Sequence, residues 1–355
     1  MTLYLEKIFY FIIIILIYNI LKIIMSTHSY YNKKIPKLMY QKITKIKLIN
    51  FNKNYKNMYN NKKKKILISM AIDNNLIYPT LVSMISALEN NNKNNILIYY
   101  LFLSYDFKLK NIYLYESLKN DYQVLIYYFI IPDIFRYFRK WYEITYGIYY
   151  KLLIPFLLPN LKRIIFLDGD TLIFDDILEM YNLPFNDNYI LGYPFHTAKA
   201  LDKFKANSTK YINGGVLLIN IEKIIKDHKE KELIEFTYSK NKNLVFLEQD
   251  SINYVLKPKI GFLPLKYGIY LYGNINNFNI NYKNELRVSL NISEINNSIN
   301  NPSLIHFSGC TPKVWNKNSK HIDGINSVCE KFQKKFYNYA NKTKYYKLIY
   351  NKYMK

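Results

Sequence analysis

The chain reads as an α/β fold built on a mostly parallel, twisted sheet with helices on both faces. Two observations point there. Short strand-like runs alternate with stretches of helical period from Ile66 onward, and those runs are apolar throughout, as strands covered on both faces must be.

Taken in order, "KILISMAI" (65–72) is a buried-type strand and "YPTLVSMISALEN" (78–90) spaces its apolar residues for a helix. "NILIYYLFLS" (95–104) is a second strand, "DFKLKNIYLYESLKN" (106–120) a second helix, and "YQVLIYYFI" (122–130) a third strand. "YGIYYKLLIPFLLPN" (146–160) predicts a helix that stops before Pro159, and "RIIFLD" (163–168) is the fourth strand. Ligands of such sheets bind beyond the carboxyl ends of the strands. Asp73 and Asn75 follow the first strand, and Asp168 and Asp170 follow the fourth.

At 355 residues and 50% hydrophobic, the chain is long enough to bury a large core. Its formal charge of +24 invites a nucleic-acid reading, but the lysines are scattered and gather at the ends, and no nucleic-acid-binding motif accompanies them. Nucleic acid is therefore not an expected partner. Two cysteines, Cys310 and Cys329, without a C-x-x-C exclude a zinc cluster or a disulfide scaffold and leave a single bridge open.

Four regions follow: residues 1–25, 26–65, 66–320 and 321–355. In the first, the apolar run Ile8 to Ile24 predicts a signal anchor, hence a single-pass membrane protein. In a eukaryote that means the Golgi or endoplasmic reticulum, in a bacterium the cytoplasmic face of the inner membrane. The second region is a basic, asparagine-rich stem or linker, and the third carries the alternating strands and helices. The last mixes lysine with tyrosine and phenylalanine, which suits either a membrane surface or a solvated helix.

"RIIFLDGDTLIF" (163–174) brings two carboxylates to the end of an apolar strand, where neither is buried cheaply. Three readings compete: a divalent-cation site, a phosphatase nucleophile loop, and a solvated turn. The phosphatase pattern needs a residue between the second aspartate and the threonine, whereas Thr171 follows Asp170 directly. "YINGGVLLIN" (211–220) carries Gly214 and Gly215, where backbone can approach a ligand or simply turn. "FLEQDSIN" (246–253) places Glu248, Gln249 and Asp250 at a helix start, where carboxylates also act as caps. "LIHFSGCTPKVW" (304–315) supplies His306, Gly309 and Lys313: an imidazole for a metal, a glycine and a lysine for phosphate.

Five blocks, residues 69–88, 149–173, 211–220, 247–253 and 305–315, in this order and at about this spacing, resemble glycosyltransferase family 8, the retaining enzymes that include glycogenin and the lipopolysaccharide galactosyl- and glucosyltransferases. The resemblance spans residues 66 to about 316. It implies a GT-A nucleotide-diphospho-sugar transferase fold, a UDP-hexose donor carrying galactose or glucose, and a glycan, lipid or protein acceptor. It also implies manganese, with magnesium the alternative, held by Asp168, Asp170 and His306. Asp73 and Asn75 match residues near uracil and ribose, and Lys151 stands where the family has an arginine against the donor. Asn213, Gly214 and Gly215 match the turn that contacts the sugar, and Gln249 and Asp250 the block beside the anomeric carbon, where they are the catalytic candidates. Gly309 and Lys313 match diphosphate contacts, although the family's H-x-x-G-x-x-K-P-W is here one residue longer and lacks its proline. A noncatalytic sugar-nucleotide or glycan-binding protein on a degenerate transferase fold is the alternative.

Overall fold

The computed structural model describes residues 39–50, 63–141, 145–195, 210–268, 292–309, 313–317 and 326–354. The chain divides into two units, Met1–Lys45 and Ile46–Lys355, and the second carries the sheet and the cleft. Its strands are β1 (Leu48–Ile49), β2 (Lys64–Ile72), β3 (Asn95–Ser104), β4 (Val124–Ile131), β5 (Arg163–Leu167), β6 (Thr171–Ile173), β7 (Ile190–Pro194), β8 (Ile212–Asn220), β9 (Ile260–Phe262) and β10 (Leu304–His306).

Eight of them form one sheet in the order β1-β4-β3-β2-β5-β8-β7-β9, and β6 and β10 pair antiparallel in a second. Within the large sheet, β4, β3, β2 and β5 run parallel, while β8 runs against both β5 and β7. That reversal matters for the cleft. It puts the start of β8 beside the end of β5, so one edge of the sheet gathers side chains from two strands that run in opposite directions.

Both faces are covered, as fully apolar strands require. The helix α1 (Ile77–Glu89) buries Leu81, Met84, Ile85 and Leu88 with Ile66, Ile68 and Met70 of β2 and with Ile165 and Leu167 of β5. Side chains alternate along a strand, so Phe166 faces the other way. On that side lies Tyr146–Leu153, whose Lys151 Nζ sits 4.8 Å from the Phe166 ring centroid.

The helix predicted over 146–160 runs as a 3-10 helix to Leu153 followed by one α turn, Ile154–Leu157, and ends before Pro159. Pro155 offers no N–H and its ring crowds the carbonyl four residues back, which keeps the preceding turns from closing in α geometry. Thr145 starts the segment, its Oγ1 accepting from the Gly147 N–H at 3.3 Å.

Two expectations change. Among the described residues no helix is long and apolar enough to cross a membrane, so the single-pass membrane assignment does not stand. The proposed anchor, residues 1–25, lies outside the described residues, as do the stem up to residue 38, residues 51–62 and Cys310. The C-terminal segment folds into α3 (Asn326–Ala340) and α4 (Tyr346–Tyr353). Phe332, Phe336, Ala340 and Ile349 are buried there with Phe307, Val314 and Trp315. A face of that kind is spent on the protein's own core, not on a lipid surface or on water.

Phe336→Ala should therefore cost about 3–5 kcal/mol in urea unfolding. A solvated or lipid-bound helix would lose next to nothing.

Candidate active site

The floor of the cleft is built where β5 ends. The Asp168 N–H still donates to the Gly215 carbonyl at 2.7 Å, extending the ladder by one rung. Three residues on, the chain enters β6, whose Thr171 pairs with His306 of β10. The Phe307 N–H donates to the Asp170 carbonyl at 2.9 Å, which locks the two strands together at the site. The turn between the two strands leaves both carboxylates facing the imidazole.

His306 Nε2 lies 3.1 Å from Asp170 Oδ1 and 3.6 Å from Asp168 Oδ2. Its other nitrogen, Nδ1, is 2.9 Å from the Tyr193 hydroxyl. The tautomer that leaves the Nε2 lone pair for a cation carries its proton on Nδ1 and donates it to the Tyr193 hydroxyl, which fixes the ring as an outer acceptor does for a metal-binding histidine. One ligand atom from each of Asp168, Asp170 and His306 lies within 4.8 Å of the others. Two carboxylate oxygens and an imidazole nitrogen at that separation fit one divalent cation.

Lys313 stands across this cluster, its Nζ donating to Asp170 Oδ2 at 2.6 Å and to the Phe307 carbonyl at 2.8 Å. The extra residue before it does not keep it from the cleft. Burial alone would raise the Asp170 carboxyl, but Lys313 and His306 outweigh it and hold the group well below the usual carboxylate range. Gly309 closes the 3-10 turn Phe307–Gly309 that follows His306.

The opposite wall comes from β8 and from α2 (Glu248–Val255). The Gly214 N–H donates to Gln249 Oε1 at 2.8 Å, the Gly215 N–H to Asn213 Oδ1 at 2.7 Å. Asn253 grips the same turn, donating to the Ile212 carbonyl and accepting from its N–H, each at 2.8 Å. The bulky Leu247 precedes α2 at a φ of 53°, a left-handed conformation that costs about 1–3 kcal/mol and aims Glu248 and Gln249 into the cleft.

Lys151 is buried and pinned, 2.9 Å from Glu248 Oε1 and 3.6 Å from Asp168 Oδ1. Burial alone would lower its pKa, but Asp168 and Glu248 more than offset that and keep it charged. At the far end, Asp73 Oδ1 accepts from the N–H groups of Asn75 at 2.7 Å and Leu76 at 2.9 Å. Its Oδ2 accepts from Thr145 Oγ1 at 2.5 Å. Asp73 thus holds the turn that presents Asn75 to the cleft.

Asp250 is placed elsewhere. Its Oδ1 accepts from the Tyr211 hydroxyl at 2.5 Å, its Oδ2 from the N–H groups of Val245 at 2.6 Å and Phe246 at 3.0 Å, and it is fully buried. Burial, then Asp250 itself, pushes the Tyr211 phenol well above its usual value, so it stays a donor. Asp250 anchors the loop before α2 and does not line the cleft.

Apart from Asp250 and Gly309, which do not line it, the expected site residues converge on one cleft of about 580 Å³, a size suited to a nucleotide-scale ligand. Thr145, Tyr193, Asn253, Trp141 and the C-terminal Lys352 and Tyr353 take part without any sequence signal of their own. With 38 tyrosines in the chain, no pattern singles out Tyr193.

This sheet, with its acidic strand ends, is that of the GT-A glycosyltransferases. The apo structure of the bifunctional glycosyltransferase WbbM matches with a TM-score of 0.63 at 18% identity, over 82% of this chain and 52% of that one. The galactosyltransferase LgtC matches at 0.60 and 16%, over 79% and 96%. GlyE of Streptococcus pneumoniae TIGR4 matches at 0.55 and 17%, over 82% and 63%. At these identities the likeness is one of fold. The sequence profile of glycosyl transferase family 8 matches residues 67–319, and the chain belongs to that family. It is also 27% identical over 187 residues to General stress protein A of Bacillus subtilis strain 168, a match that spans 50% of this chain and 62% of that protein.

Two outcomes follow. A Cβ at Gly215 would overlap the His306 ring and stand 2.5 Å from Asp168 Oδ2, whereas at Gly214 nothing comes nearer than 3.4 Å. Gly215→Ala should cost about 1–3 kcal/mol in urea unfolding and push the imidazole away from both aspartates, and Gly214→Ala should spare the Asp168, Asp170 and His306 cluster. Asp250→Ala strands one hydroxyl and two amide donors, so it should lose about 3 kcal/mol or more of stability. A carboxylate used only in catalysis would instead lose turnover and keep its melting temperature.

Proposed function

We propose that the chain is a metal-dependent, retaining glycosyltransferase that moves galactose or glucose from a UDP-linked donor to a glycan, glycolipid or glycoprotein acceptor. The observation that carries this reading is the convergence of Asp168, Asp170 and His306 at the floor of the cleft, in a member of family 8. The solved LgtC holds donor and acceptor sugar analogues, which supports a sugar donor and a sugar acceptor here.

Asp168, Asp170 and His306 would hold the cation, manganese being favoured over magnesium by the imidazole in the set. Bound there, a divalent cation supplies charge against the diphosphate as it departs. Lys313, now 2.6 Å from Asp170, has an ammonium on a flexible stem that can turn from the carboxylate to phosphate. Asn75 would meet the nucleoside, and Asp73 would hold its turn. The Asn213–Gly215 turn and Gln249 would flank the transferred sugar.

Gln249 is an amide whose Oε1 already accepts from Gly214, and Asp250 is buried with both oxygens occupied. Neither supplies a free carboxylate for a covalent intermediate. Front-face attack, in which the leaving phosphate takes the acceptor's proton, is the form of retention these residues favour.

Hydrolysis of a panel of UDP-sugars, with and without manganese, tests the reading. Native protein should turn over UDP-galactose or UDP-glucose only with the metal, and Asp170→Asn should lose more than about 100-fold. Turnover that ignores the metal, or none with any donor, would sink the proposal.

A further inference from the structure

Three lysines line the cleft, and two are already committed. Lys151 is held by Glu248 and Asp168, and Lys313 by Asp170. The third, Lys352, comes from the last helix of the chain and makes no ion pair with a carboxylate among the described residues. Its Nζ lies 5.1 Å from the ring centroids of Tyr78 and Tyr353.

The helix that carries it is not loose. Ile349 of α4 is fully buried, and the Tyr353 ring packs on Trp315 at 6.2 Å and on Tyr78 at 6.4 Å. The Tyr353 carbonyl accepts from the Lys317 N–H at 3.0 Å. From α3, the Tyr337 hydroxyl donates to the Trp315 carbonyl at 2.6 Å, and Gln333 donates to that of Asn316 at 2.9 Å. Both C-terminal helices thus brace the 313–317 loop, whose first residue is Lys313.

We propose that Lys352 is a donor-binding residue, reaching the phosphate of the nucleotide from the C-terminal helix. Tyr78 belongs to the first turn of α1, next to Asn75 and Leu76 of the cleft wall, so Lys352 lies between the nucleoside end and Lys313. That is where the first phosphate of a nucleoside diphosphate must pass. Lys352 is exposed on the cleft side, and the protein around it lowers its ammonium pKa against a smaller opposing effect of Asp73. The assignment rests on the nucleotide-sugar reading, and it makes the tail part of the donor site.

Titration calorimetry with UDP, GDP, ADP and uridine, in manganese, tests it on the native full chain and on Lys352→Gln, which keeps most of the stem against the two tyrosines. Lys352→Gln should weaken the preferred diphosphate about tenfold and leave uridine unchanged, and Lys352→Arg should restore most of the loss. Lys347→Ala, on the exposed side of the same helix, should match the native protein. Equal diphosphate affinity in native and Lys352→Gln protein would overturn the assignment, as would an equal loss for uridine, which carries no phosphate. If the native protein binds none of the three diphosphates, the nucleotide reading falls and the assignment falls with it.

Discussion

The His306 ring and the Asp168 carboxylate occupy the space that a side chain at Gly215 would fill, and the Gly215 carbonyl accepts the Asp168 N–H at 2.7 Å. That backbone contact continues the antiparallel ladder of β5 and β8, and the two side chains can close over it because position 215 has no Cβ. The floor of the cleft is therefore made of main chain, and the three metal-type ligands converge above it. Any bulk at this point would push the imidazole away from both aspartates.

Such a cluster is costly unless its charges are answered. Asp170 is buried, Asp168 is partly so, and an isolated carboxylate in that setting is strongly disfavoured. Lys151 and Lys313 answer from opposite sides, the first against Asp168 and Glu248, the second against Asp170. Removing one partner of a buried pair typically costs about 3–5 kcal/mol, so the lysines hold the carboxylates in place as well as lining the cleft. Lys151 is an instructive case. Where the family pattern has a forked guanidinium, this chain has a point charge drawn inward onto two carboxylates, which suits an internal brace better than bidentate phosphate recognition.

Much of this was legible in the sequence, because periodicity and strand-end placement are local signals. Uninterrupted apolar runs identified β2 to β5, and the two-residue spacing of Asp168 and Asp170 carried through because both follow one strand. What the sequence could not yield depends on distant partners. Asp250 reads like its neighbour Gln249, yet the Tyr211 hydroxyl and the N–H groups of Val245 and Phe246 take both its oxygens. Tyr193 is one tyrosine among many until β7 brings it to His306 Nδ1. The tail shows amphipathic period, but only the folded chain reveals that its apolar face meets Trp315 and its end reaches the cleft. The helical period of 146–160 is legible, whereas its 3-10 pitch is not, since Pro155 acts on the turn before it.

The account stands or falls on a single cation bridging the chain and a nucleotide. A crystal grown with manganese and UDP, measured at the manganese absorption edge, addresses that directly. The account predicts one anomalous peak within bonding distance of Asp168, Asp170 and His306 Nε2, with diphosphate oxygens on the same ion. A bound UDP with no peak there, or a peak held by other residues, would contradict it.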